Sequence, residues 1–65
     1  MAELFPPGID EQIACAEREL GYRRRLYPRW VDAGRMSKEK ADREITLMEE
    51  IHATLCACKR RLAAR

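Results

Sequence analysis

The sequence predicts an all-α chain: an antiparallel two-helix hairpin, its first helix kinked or broken at a proline, dimerising into a four-helix bundle. Three observations carry that expectation. Apolar residues recur every three or four positions through two long segments, the spacing of one helix face. A single glycine, Gly34, separates the two segments. Opposite charges gather at the two ends of the chain, where only an antiparallel pairing brings them together.

The first helix is expected to begin near Ile9-Asp10-Glu11, because acids in a first turn complement the helix macrodipole. Ile9, Ile13, Ala16 and Leu20 form its apolar stripe, and the same period continues through Arg23 and Tyr27 to Trp30 and Val31. Pro28 removes one backbone donor and biases Tyr27 away from helical dihedrals, so a kink or a fresh short helix is expected there. Ala33-Gly34-Arg35-Met36-Ser37 has the pattern of a helix end with glycine in the left-handed region, and Met36 is placed to cover the last turn. Ser37 is then the N-cap of a second helix, with Glu39 in its first turn. From Lys38 to about Ala64 there is neither Gly nor Pro. Ala41, Ile45, Met48, Ile51 or His52, Leu55, Cys58 or Lys59, and Leu62 make the second stripe. Residues 9–65 thus form the hairpin domain, and residues 1–8, with Pro6-Pro7-Gly8 stopping regular structure, form a flexible arm.

Charge sets the orientation. Residues 1–17 carry Glu3, Asp10, Glu11 and Glu17 and no base, whereas residues 59–65 carry Lys59, Arg60, Arg61 and Arg65 and no acid. Folding at Gly34 makes these ends neighbours and sets Arg23, Arg24 and Arg25 near Glu44, Glu49 and Glu50. Exposed pairs contribute only about 0–1 kcal/mol each, so they choose the pairing while the apolar stripes stabilise it. A lone hairpin gives each stripe one partner and leaves Leu20, Tyr27, Ile45, Met48 and Leu55 partly wet. A second copy closing a four-helix bundle is the simplest remedy.

Size and composition exclude several classes. Sixty-five residues form one domain at most, and a core this small needs staples or partners. A chain 46% hydrophobic and 37% charged is too apolar to be disordered and too charged to span a bilayer. Met1 to Pro6 contains no basic stretch followed by an apolar one, so a secretion signal is not expected and the cytoplasm is the default location. Cys15, Cys56 and Cys58 are an odd number, which argues against a closed disulfide framework and for small buried or half-buried hydrophobes.

Four groupings are candidates for chemistry. Arg23, Arg24, Arg25, Arg29 and Arg35, interleaved with Tyr27 and Trp30, are suited to phosphate contact and base stacking. Against that, consecutive helical residues point in different directions and the opposing glutamates neutralise much of the charge. Cys15, His52, Cys56 and Cys58 supply soft ligands, but lack the CxxC or HxxxH spacing of a zinc site, and packing accounts for them without a metal. Catalysis is poorly served: the lone Ser37 is explained as a cap and lies about four helical turns from His52, so neither an enzyme nor a cofactor is expected. Tyr27, Arg29 and Trp30 are the residue types that dominate binding energy at protein interfaces, although Tyr27 and Val31 serve equally well as a small core beside the turn.

Ile9-Asp10-Glu11-Gln12-Ile13-Ala14-Cys15, Tyr27-Pro28-Arg29-Trp30-Val31, Gly34-Arg35-Met36-Ser37, Lys40-Ala41 and Ile45 together resemble an uncharacterised family of short proteins encoded by bacteriophages and prophages. The resemblance covers roughly residues 9–55 and stops short of the tail from Cys56 to Arg65. It implies a phage or prophage origin and the bacterial cytoplasm, and transfers no site residues. The expected function is a phage accessory protein acting as a protein–protein interaction module, a homodimer that binds a host or phage protein through Tyr27, Arg29 and Trp30. The alternative is a nucleic-acid-binding factor using Arg23, Arg24, Arg25, Arg29 and Arg35. Without a third helix to support a recognition helix, a helix-turn-helix reader is not expected.

Overall fold

The computed structural model describes residues 8–64; the expected arm, with Leu4 and Phe5, lies outside them except for Gly8. Two helices, α1 (Ile9–Asp32) and α2 (Lys38–Ala63), pack against each other as a hairpin, and the described residues contain no strand. Gly8 caps α1 in an extended conformation and offers no side chain to the free N–H groups of the first turn. Asp10 and Glu11 supply the negative charge that end calls for.

The turn is built from sequence-local chemistry. Gly34 adopts φ +74°, where a Cβ would be strained. The N–H of Gly34 donates to the Val31 carbonyl at 3.0 Å, and that of Arg35 donates to the Trp30 carbonyl at 2.8 Å. This 5→2 and 6→1 pair is a Schellman ending, and it satisfies carbonyls that the end of α1 leaves free. Two residues later Ser37 Oγ accepts the Lys40 N–H at 3.1 Å and starts α2.

Pro28 sits inside α1, which continues through it without a break. Of the two expectations at this position, the break does not form. A proline five residues from a helix end forfeits one bond, the one its N–H would have donated to the Arg24 carbonyl. The turn beyond it is held by other means. Tyr27 and Trp30 stack across the proline with ring centroids 5.4 Å apart, and the Ala33 N–H donates to the Arg29 carbonyl at 3.0 Å.

The core is thin. Ala16, Leu20, Ala41 and Met48 are its buried members, two of them alanines, and Ile45 and Leu55 pack against it half-buried. Ala16, Leu20 and Met48 form one buried cluster, and Ala41 is buried nearer the turn. Along α1 the expected stripe turns inward throughout: Ile9, Ile13, Ala16, Leu20, Arg23, Tyr27, Trp30 and Val31 are all buried or half-buried. Along α2 the two open choices resolve toward His52 and Cys58, which are half-buried, while Ile51 and Lys59 are exposed. No helix among the described residues is long and apolar enough to cross a membrane.

Candidate interaction surface

The hairpin has two long faces of different chemistry. On the first, charged residues bridge the helices. Arg24 Nη2 donates to Glu49 Oε2 at 2.7 Å, His52 Nε2 lies 3.4 Å from Glu17 Oε2, and Lys59 Nζ donates to Asp10 Oδ1 at 2.6 Å. The start of α1 therefore lies beside the end of α2, as the distribution of charge along the chain requires. The hydrogen bond and charge of Asp10 hold the Lys59 ammonium above its ordinary pKa of 10.5. Asp42 does the same for Lys38, one turn away on α2, with Nζ to Oδ2 at 2.8 Å.

On the second face the helices leave an open groove of about 600 Å³. Ala14, Cys15 and Arg18 line it from α1; Met48, Ile51 and Leu55 line it from α2. Helical spacing extends this apolar face beyond the groove. Tyr22 lies two turns after Cys15, Leu47 one turn before Ile51, and Leu62 three turns after Ile51, so all three share its side of the hairpin. Tyr22, Leu47, Ile51 and Leu62 are 46%, 39%, 48% and 53% exposed, and they are the large apolar side chains left in water among the described residues. The residues expected to stay wet are different ones. Leu20 and Met48 are buried and Tyr27, Ile45 and Leu55 are half-buried, so the main stripe is largely covered within the hairpin and the exposure falls on the row beside it.

Between the two faces Arg23 crosses from α1 to α2. Its Nε donates to Glu19 Oε1 at 3.1 Å, its Nη1 donates to the Glu44 main-chain carbonyl at 2.8 Å, and the Glu44 carboxylate lies 3.6 Å away. The guanidinium also sits 5.9 Å from the Tyr27 ring centroid. An arginine thus fills a position where the period calls for an apolar residue, its stem packed and its head fully engaged.

The three consecutive arginines point three ways. Arg23 turns inward, Arg24 joins the charged face at Glu49, and Arg25 lies over the Tyr22 ring at 5.9 Å on the apolar face. Arg29 and Arg35 are exposed near the turn. Of the three candidate anchors, Tyr27 and Trp30 are stacked and half-buried, and Arg29, between them in sequence, is exposed. A smaller hollow of about 220 Å³ lies near the turn between Pro28, Val31, Asp32, Lys38, Ala41 and Ile45.

The candidate thiol site is divided. Cys56 Sγ approaches His52 Nε2 at 3.8 Å, next to Glu17 on the charged face. Cys56 and Cys58 are half-buried as expected, but Cys15 is exposed, because it sits on the wall of the open groove, while Cys56 lies about 140° around α2 from the groove residue Ile51. Among the described residues no three His, Cys, Asp or Glu side chains converge in a metal-binding group. Neither hollow is lined by Glu17, His52 or Cys56. Periodicity alone passes over Glu11, Arg18 and Leu47, and it sets Leu62 on the main stripe of α2, whereas Leu62 is exposed and lies with Leu47 and Ile51 in a second apolar row.

Compared with known proteins, the chain matches no family model, no curated protein and no solved structure.

Proposed function

We propose that this chain is a protein–protein interaction module without catalytic activity, an antiparallel hairpin that works as a homodimeric four-helix bundle. The observation that carries the reading is the placement of Tyr22, Leu47, Ile51 and Leu62, all exposed and all on one face. A contiguous apolar face beside a groove marks a surface meant for another helix, whereas singly scattered apolar residues would carry no such meaning. A core of four buried residues, two of them alanine, gives little burial to a 65-residue chain and favours association.

With one face given to the second copy, the turn end is free for a host or phage protein. Tyr27 and Trp30 form a pre-stacked aromatic pair there, and Arg29 stands exposed beside it. Binding of this kind acts by occlusion or scaffolding. The resemblance to short phage and prophage proteins supports a phage accessory role in the bacterial cytoplasm.

A second reading, a nucleic-acid-binding accessory factor, draws on Arg29 and Arg35, which have no carboxylate partner among the described residues. Affinity capture of the tagged full chain from bacterial lysate, with and without nuclease and at two salt concentrations, separates the readings. The module reading expects a discrete protein retained through nuclease and salt, and lost with Trp30→Ala. Recovery of nucleic acid, or of proteins released by salt, overturns it in favour of the arginines.

A further inference from the structure

We infer that the groove face is the self-association surface, and that the second copy lays its α2 across α1 about a twofold axis running along the helices. The inference rests on the interaction-module reading and names the face, the occupant and the orientation.

Charge selects a second copy. On the charged face Asp10, Glu17, Arg24, Glu49, His52 and Lys59 all find partners within the hairpin. Along the rim of the groove face the charges do not: Glu11 and Arg18 on α1, and Glu50 and Arg61 on α2, make no ion pair among the described residues. Toward its end away from the turn each helix thus offers an acid and a base, as a self-complementary surface needs, while nearer the turn each adds an arginine, Arg25 on α1 and Arg43 on α2.

The register of the hairpin fixes which of them meet. A twofold axis along the helices preserves height, so residues level within one hairpin are level across the interface. Asp10 is level with Lys59, which brings the neighbouring Glu11 within a turn of Arg61 in the second copy. Glu17 is level with His52, which brings Arg18 within a turn of Glu50 in the second copy. Both pairs unite opposite charges, each twice by symmetry. Tyr22 then comes level with Leu47, and Cys15 falls between Ile51 and Cys58, closing the groove with apolar contacts. Arg25 and Arg43 also come level and repel, which makes the turn end the weaker half of the bundle. The other face-to-face arrangement has its axis across the helices near Cys15 and Ile51. It stacks α1 on α1 and α2 on α2, so that acids and bases of different helices no longer meet in the order the hairpin register sets.

Sedimentation equilibrium of the full chain, from low to high micromolar, tests this. The wild type is expected to dimerise. Ile51→Glu, a change at an exposed position that leaves the helical circular dichroism intact, is expected to raise the dissociation constant at least about a hundredfold. Glu11→Arg and Arg61→Glu are each expected to weaken the dimer about fivefold, and the double reversal to restore it. Thiol labelling gives a second measure: Cys15 becomes protected as the dimer fills, while labelling of Cys56, on the other face, keeps its rate. A dimer indifferent to Ile51→Glu overturns the face, and a double reversal no better than the singles overturns the orientation. A wild type that stays monomeric yet captures a protein through Trp30 overturns self-association and leaves the module reading standing.

Discussion

On one face of the hairpin, opposite charges from α1 and α2 meet at Arg24–Glu49 and Asp10–Lys59, and Glu17 lies beside His52; on the other, the same two helices present Cys15, Tyr22, Leu47, Ile51 and Leu62 to water. The residues of the two faces alternate along one backbone, often only one or two positions apart. Exposed ion pairs at the first face fix register and add little stability beyond that. Apolar burial contributes about 1.5–3 kcal/mol for each large side chain removed from water, and the second face leaves that contribution unused within a single chain. The face that is satisfied is energetically cheap, and the face that is rich in potential burial is left open. A chain selected only to be a stable monomer has no reason for that arrangement.

The largest expected effect comes from the narrow strip of core that both faces share. Leu20 is 8% exposed and packs with Ala16 and Met48. Leu20→Ala is expected to lower unfolding free energy by about 2–5 kcal/mol, measured by urea denaturation, because the helix backbones cannot collapse into the space. Against a small domain's total, that is enough to unfold much of the chain at room temperature. Leu62→Ala, at a position 53% exposed, is expected to change hairpin stability by less than about 0.5 kcal/mol. Equal losses at the two positions would erase the distinction between core and open face.

Next in size is the turn that makes two faces possible. Gly34→Val forces a β-branched residue to φ +74° and is expected to cost about 1–2 kcal/mol or more. Space is not the reason, since a Cβ at Gly34 would meet no atom within 4 Å. Gly34→Asn, which tolerates the left-handed region, is expected to recover most of the loss. Melting curves of the two variants separate backbone strain from crowding.

Arg23 and Arg24 sharpen the comparison at a finer scale, because they are adjacent and identical in type. Arg23, with its side chain 20% exposed, spans to the Glu44 carbonyl and to Glu19, whereas Arg24, 56% exposed, makes one pair with Glu49. Arg23→Ala is expected to cost about 1–2 kcal/mol and Arg24→Ala about 0–1 kcal/mol, both read from urea midpoints at constant slope. Raised salt is expected to narrow the gap little, since the Arg23 contact to a carbonyl is shielded from solvent ions.

That difference also marks where the sequence stops being legible. The turn was readable because Gly34 and Ser37 act within four residues of themselves, and their bonds need no knowledge of the partner helix. The stripe of α1 was readable because every member, even Arg23, follows one period. Readability failed at Ile51 and His52, where a shift of one residue is about 100° of rotation and decides between a groove wall and an ion-pair partner. Periodicity also placed the wet apolar surface on the main stripe. Its true location depends on how far each stripe is covered by the partner helix, a property of both helices at once. The same limit applies to Pro28, whose cost is set by what anchors the turn beyond it.

The smallest expected effect isolates one rung of the charged face. Lys59 has its pKa raised above 10.5 by the hydrogen bond and charge of Asp10. A lysine that titrates higher in the folded chain than in the unfolded one adds stability that is fully present below about 10.5 and is lost as pH rises through the raised value. Lys59→Gln keeps the length and polarity of the side chain and removes the titration. Wild type is therefore expected to melt slightly above Lys59→Gln at neutral pH, with the two curves converging once the pH passes the lysine range. A gap that persists at the highest pH would mean that the packed stem of Lys59 supports the end of α2, and that the ion pair with Asp10 contributes nothing to register.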